Sequence, residues 1–169
     1  MSRPIPPLSL RAPLLAVALA PLWATSVLAQ PAPAAELEFN VSPYTVHFSP
    51  SDEHKSVWLF GMTQVEADGS LVAAAVFSNS FGQRSAAAQF GQRYQRPFGW
   101  DRWYWQWTAG LMYGYVAPYK NKVPLNYKGF SPVVVPSLGY QFAPHVSGEL
   151  MLLGNSALMF QFAFDLPQR

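Results

Sequence analysis

His47 lies near the end of the run Tyr44-Thr45-Val46-His47-Phe48, and Asn79 and Ser80 lie at the end of Val76-Phe77-Ser78-Asn79-Ser80-Phe81. An imidazole beside a hydroxyl is the minimal pairing for acyl transfer. The ring takes the proton of an attacking alcohol while a hydroxyl or amide steadies the oxyanion. The same three residue types are common in polar loops, so their identity alone leaves a non-catalytic rim equally open. What decides is whether the elements that carry them bring them together.

Other chemistries find less support. The chain has no cysteine, which excludes thiol catalysis, thiolate metal sites and disulfides. His54 lies seven residues beyond His47, and His145 stands far from both. No third ligand at a recognisable spacing accompanies them, so neither a metal site nor a cofactor is expected.

At 169 residues the chain suits one domain. Only 12% of residues are charged while half are hydrophobic and 15% aromatic, yet outside the N-terminal region no apolar run reaches the ~18 residues of a spanning helix. Residues 1–29 carry a secretory pattern: Arg3 and Arg11, an apolar Leu14 to Leu22, and small residues in Val27-Leu28-Ala29 before Gln30. Cleavage after Ala29 is expected, then a flexible proline-alanine lead-in over 30–36 and a barrel domain over 37–169. Without Arg3 and Arg11, nine basic side chains face nine acidic ones, so the basic balance of the whole chain implies no nucleic-acid partner.

From Leu37 onward the dominant period is two. Eight segments, roughly 37–48, 56–66, 70–80, 84–95, 102–114, 131–143, 146–153 and 156–165, are separated by turn residues. Their length and even number predict an all-β fold, an eight-stranded antiparallel transmembrane β-barrel. The fifth segment sorts most clearly. Trp103, Trp105, Trp107, Ala109, Leu111, Tyr113 and Tyr115 share one face, and Arg102, Tyr104, Gln106, Thr108 and Gly110 the other. Leu158, Phe160, Phe162 and Phe164 likewise oppose Met159, Gln161, Ala163 and Asp165, and Val134, Leu138, Tyr140 and Phe142 oppose Ser137, Gly139 and Gln141. A soluble barrel would turn the aromatic faces inward, but so many large rings overfill a small barrel, whereas facing lipid they need no partner volume.

With a periplasmic N-terminus, the turns near Glu66–Gly69, Arg96–Asp101 and Ala143–His145 fall inside, and a long Val116–Gly129 loop lies outside. This topology puts His47, Asn79 and Ser80 at one extracellular rim. Lys120, Lys122 and Lys128 on the outer loop could meet glycolipid phosphates, although loop lysines are solvated by default.

Ala75-Val76-Phe77-Ser78-Asn79-Ser80-Phe81 resembles the Ala-Phe-Lys-Asp-Ser-Trp strand end of the outer-membrane lipid A palmitoyltransferase (PagP) family, and Tyr44 to Phe48 is similar to its Trp-His-Ala-Arg-Phe segment. Phe90-Gly91 falls where that family has an aromatic-glycine pair. The proline-rich Ser131 to Tyr140 resembles its Pro-Val-Leu-Leu-Pro-Leu-Ala-Ser-Val-Gly-Tyr strand, with one proline offset.

The resemblance implies an acyltransferase of the bacterial outer membrane that acts as a monomer. It would move a palmitoyl chain from a phospholipid donor to a hydroxyacyl chain of lipid A. It further implies catalytic roles for His47 and Ser80, with Asn79 standing where the family has aspartate. An amide cannot stabilise an imidazolium as a carboxylate does, so either Asn79 orients a reacting group, or Asp52 or Glu53 supplies charge, or the site is inactive. Gly91, with Ala87 on the same face, would line the acyl pocket, so Gly91→Met is expected to shorten the preferred chain. Gly91 could equally mark a bend in the strand. Pro132 and Pro136, which cannot donate ladder hydrogen bonds, would weaken the sixth strand and open a lateral lipid gate. The alternative is a non-catalytic barrel with a structural, lipid-binding or small-solute passage role. A barrel this narrow is normally filled by side chains, which argues against a general pore.

Overall fold

The computed structural model describes residues 35–167. The expected signal segment 1–29 and most of the lead-in lie outside the described residues. Eight strands follow in order: β1 (Glu36–His47), β2 (Leu59–Val65), β3 (Ser70–Ser78), β4 (Arg84–Gln95), β5 (Trp103–Tyr113), β6 (Phe130–Ala143), β7 (Val146–Leu153) and β8 (Ala157–Leu166). Each pairs antiparallel with its neighbour, and β1 pairs with β8 to close the barrel. Strand count, order and closure are those expected from the period-two pattern.

One boundary departs from expectation. β2 begins at Leu59 because the β1–β2 ladder stops at Ser42↔Leu59, where Pro43 follows in β1. Proline has no N–H to offer a ladder, and at the same place the β1–β8 register shifts between Val41 and Tyr44.

The sheet sorts its side chains inside out. Phe39, Phe60, Val72, Phe90, Leu111 and Val134 are exposed on the outer face, whereas Asn40, Thr63, Ser85, Gln106, Ser137 and Gln161 are buried within. The outward sets expected for β5, β6 and β8 lie on the outer wall, apart from Tyr115. In a water-soluble barrel the apolar set would form the interior. Here the interior is largely polar and the outer wall apolar, a distribution compatible with a membrane barrel.

The lumen has two layers. At the end bearing the β2–β3 and β4–β5 turns, here called the base, Glu38 of β1, Arg93 of β4 and Glu149 of β7 meet with Tyr104 and Gln106 of β5 and Gln161 of β8. Arg93 grips Glu38 with both terminal nitrogens, one contact being 2.9 Å, and donates through Nε to Gln106 Oε1 at 2.7 Å. The Tyr104 hydroxyl donates to Glu149 Oε1 at 2.8 Å, and the Arg93 guanidinium lies over the Tyr104 ring at 4.3 Å. Nearer the opposite end, the inward positions of β2 to β5 mix the small Gly61, Ala73, Ala75, Ala87 and Gly110 with the larger Leu59, Phe77, Gln89 and Met112.

Candidate functional site

The rim opposite the base is assembled from three chain segments. β1 delivers His47 as its last residue, held to β8 by the pairing His47↔Ala157 and by the Phe48 N–H donating to the Ser156 carbonyl at 2.9 Å. β3 ends at Ser78 and turns through Asn79, Ser80, Phe81 and Gly82. The Asn79 Oδ1 accepts from the N–H of Phe81 and from that of Gln83, each at 3.0 Å. An asparagine side chain that captures backbone donors ahead of it is a stable way to close a turn. Gly82, at φ 78°, supplies the left-handed backbone that completes it.

This turn sets Ser80 against His47. Ser80 Oγ and His47 Nε2 are 2.7 Å apart, a full hydrogen bond between residues 33 positions apart in sequence. Both are partly exposed. The hydroxyl and a ring nitrogen therefore share a proton at a site that substrate can reach, the arrangement required of an alcohol and its base. The Ser80 carbonyl accepts from the Lys55 N–H at 2.8 Å, which ties in the β1–β2 loop.

That loop also brings His54 over His47, with ring centroids 4.1 Å apart. Phe81 is a hub beside them. Tyr119 stacks on it at 4.4 Å, His54 meets it edge-on at 5.6 Å, and Lys122 Nζ lies 5.1 Å from its centroid. Lys122 also pairs with Glu53 at 3.1 Å, so the β5–β6 and β1–β2 loops join across the rim.

Of the residues singled out from sequence, His47 and Ser80 come together. Asn79 joins neither by a hydrogen bond. It is 1% exposed, and its Nδ2 donates to Gln83 Oε1 at 3.3 Å and to the Gly114 carbonyl at 3.4 Å. Its side chain shapes the turn, and among the described residues no carboxylate forms an ion pair or hydrogen bond with His47. Glu53 is instead engaged by Lys122.

Ala87 and Gly91 both point into the lumen from β4, as expected. Gly91 answers first to its backbone neighbour, because a Cβ there would stand 1.9 Å from the Trp107 carbonyl oxygen of β5. Any side chain at 91 must first separate β4 from β5, so Gly91→Met cannot isolate chain-length selection.

Pro132 and Pro136 face outward on β6. They pair with Leu111 and Trp107 in an unbroken β5–β6 ladder, so the donors that they lack are the ones that would point toward β7. There the ladder begins only at Ser137↔Met151. The rim half of β6, Phe130 to Pro136, has no pairing on that side.

Two features escaped the sequence reading. Tyr115, expected on the outer face, is turned inward because β5 ends at Tyr113 and Gly114 adopts φ 137°. Its phenol lies near Ser80, and burial raises its pKa. The base network was the other. Glu38, Arg93 and Glu149 each occupy an inward strand position, and a charged residue in that phase was a signal available in the sequence. A cavity of about 360 Å³ lined by Glu36, Arg93, Arg96, Arg102, Tyr104 and Asp165 opens at the base, away from the His47–Ser80 pair. Among the described residues no cluster of three or more metal-ligating side chains forms.

No protein-family model matches the chain, and comparison with characterised proteins finds no match.

Proposed function

We propose that this chain is an outer-membrane acyltransferase that moves a long acyl chain, palmitoyl in the first instance, from a phospholipid to a hydroxyacyl chain of lipid A. The observation that carries the proposal is the 2.7 Å contact between His47 Nε2 and Ser80 Oγ at the mouth of a barrel with an apolar outer wall. In the first half-reaction Ser80 Oγ attacks the ester carbonyl of the phospholipid and its proton passes to His47 Nε2. The Oγ–acyl bond forms, the ester C–O bond breaks, and His47 returns the proton to the departing glycerol oxygen. In the second, the acceptor hydroxyl attacks the acyl-serine, His47 takes its proton, and Ser80 recovers it.

The surroundings suit lipid substrates. The unpaired rim half of β6 offers a lateral entry at Pro132 and Pro136. Ala73, Ala75, Ala87 and Gly110 keep part of the lumen wall small below the rim, where an alkyl chain would lie, and Gly91 lies deeper on the same wall. The site is complete within one chain, consistent with a monomer, and the reaction needs no cofactor. A solute passage is disfavoured because Glu38, Arg93, Tyr104, Gln106 and Glu149, all buried, occupy the lumen near the base.

The test is expression in a bacterial strain without lipid A palmitoylation, followed by mass analysis of its lipid A. Wild type is expected to add one acyl chain, and His47→Ala and Ser80→Ala to abolish the addition. No added chain with wild type, or undiminished addition with both variants, refutes the proposal.

A further inference from the structure

Ser80 and His47 account for nucleophile and base but leave the developing negative charge without an assigned donor. Asn79 cannot serve, since both ends of its amide are engaged by Phe81, Gln83 and Gly114. Lys122 is held by Glu53.

Tyr115 is placed for the task by contacts that have no other evident purpose. The positive φ of Gly114 turns the chain out of the β5 course, and a Cβ at that glycine would stand 2.0 Å from Ser85 Oγ. The Tyr115 carbonyl then accepts from Asn126 Nδ2 at 2.7 Å. On either side of Tyr115, Asn79 donates to the Gly114 carbonyl, while Gln83 donates to the Val116 carbonyl at 3.2 Å and accepts from its N–H at 3.3 Å. The turn that carries Ser80 thus clamps the segment that carries Tyr115. The clamped ring packs edge-on to Phe81 at 6.2 Å, with its phenol near Ser80.

We infer that the Tyr115 hydroxyl, together with the Ser80 backbone N–H, forms the oxyanion site for the tetrahedral intermediate at the Ser80 acyl carbon. This rests on the acyl-transfer reading and names the donor that the reading requires. The substrate carbonyl oxygen would sit between the two donors. Electrostatic stabilisation by donors fixed in advance is commonly the largest contribution to such reactions. The raised phenol pKa keeps the hydroxyl protonated, and therefore a donor, throughout the neutral range.

Tyr115→Phe keeps the ring and its edge contact with Phe81 at 6.2 Å and removes only the hydroxyl. In full-length protein refolded in detergent micelles, this change is expected to lower kcat for lipid A acylation by about 10²–10³-fold, the usual cost of one oxyanion donor, with KM little changed. A second measurement is independent of the acceptor. A long-chain alkyl fluorophosphonate forms an Oγ–P bond with Ser80 and expels fluoride while the serine proton passes to His47, and its phosphoryl oxygen occupies the oxyanion site. The rate of labelling, followed by intact mass, is expected to fall to a similar extent in Tyr115→Phe. Site-specific 3-fluorotyrosine at 115, a more acidic phenol, is expected to move the alkaline limb of the rate profile to lower pH, which a packing role would not do. Labelling and turnover within about threefold of wild type in Tyr115→Phe would overturn the assignment. If wild type labels at Ser80 but adds no chain to lipid A, the acceptor proposed above is wrong, and the labelling rates still decide the role of Tyr115. If Ser80 fails to label in wild type, both fall.

Discussion

Asn79→Asp discriminates most sharply between a charge-supplying and a turn-shaping residue at position 79. If the position served to stabilise a protonated His47, the carboxylate would improve catalysis. The geometry indicates the reverse. Oδ1 accepts two backbone N–H groups at 3.0 Å, which aspartate preserves, but Nδ2 donates to the Gly114 carbonyl and to Gln83 Oε1, which aspartate cannot do when ionised. Two net hydrogen bonds at about 1 kcal/mol each are lost, and the buried Gly114 carbonyl gives up a donor at a cost of about 1–3 kcal/mol. The two retained N–H donors partly offset burial of the charge, so local stability of the rim should fall by about 2–4 kcal/mol. At 1.4 kcal/mol per tenfold this is roughly a 30- to 1,000-fold loss of amide-exchange protection. The loss should be confined to Phe81–Gln83 and Gly114–Val116, with the strands unchanged. Hydrogen exchange read by mass spectrometry on the refolded barrel measures it, and acyl transfer should drop in parallel as Ser80 and Tyr115 lose register. Unchanged protection together with equal or higher activity in Asn79→Asp would refute this account.

Two further perturbations test the lumen and the wall. Arg93→Met leaves Glu38 and Glu149, 2% and 1% exposed, without their cation. Stranding a buried charge costs about 3–5 kcal/mol, and urea unfolding in lipid vesicles followed by tryptophan fluorescence should show it. A loss below about 1 kcal/mol would mean that the network contributes little to stability. Pro132→Ala with Pro136→Ala returns two N–H donors to the open side of β6, so pairing with β7 should extend past Ser137 and exchange at Val133 to Val135 should slow. Transfer from membrane-embedded phospholipid should then fall several-fold while fluorophosphonate labelling from micelles persists, and a variant that slows exchange without slowing transfer would exclude this seam as the lipid entry.

The barrel was legible because its outer wall imposes a strict rule on each strand. Trp105, Leu111, Phe160 and Val134 all lie on the outer face, and the period of two carries that sorting into the sequence. No such period governs the rim, and its failures share one cause. Tyr115 continues the odd-numbered phase of Trp103 to Tyr113 without a break, so pattern alone assigns it to the outer wall. What turns it inward is the positive φ of Gly114 and a clamp built from Gln83, Asn79 and Asn126, residues 11 to 36 positions away in sequence. The surroundings of Asn79 were hidden in the same way, because its four side-chain hydrogen bonds become visible only when the β3–β4 turn and the end of β5 are seen side by side. The meeting of His47 and Ser80 was accessible to reasoning because the two need only share an end of the barrel, which strand parity decides. Side chains that define a rim by reaching between turns need the folded loops, and it is there that Asn79 is seen to hold the Gly114 carbonyl beside Tyr115.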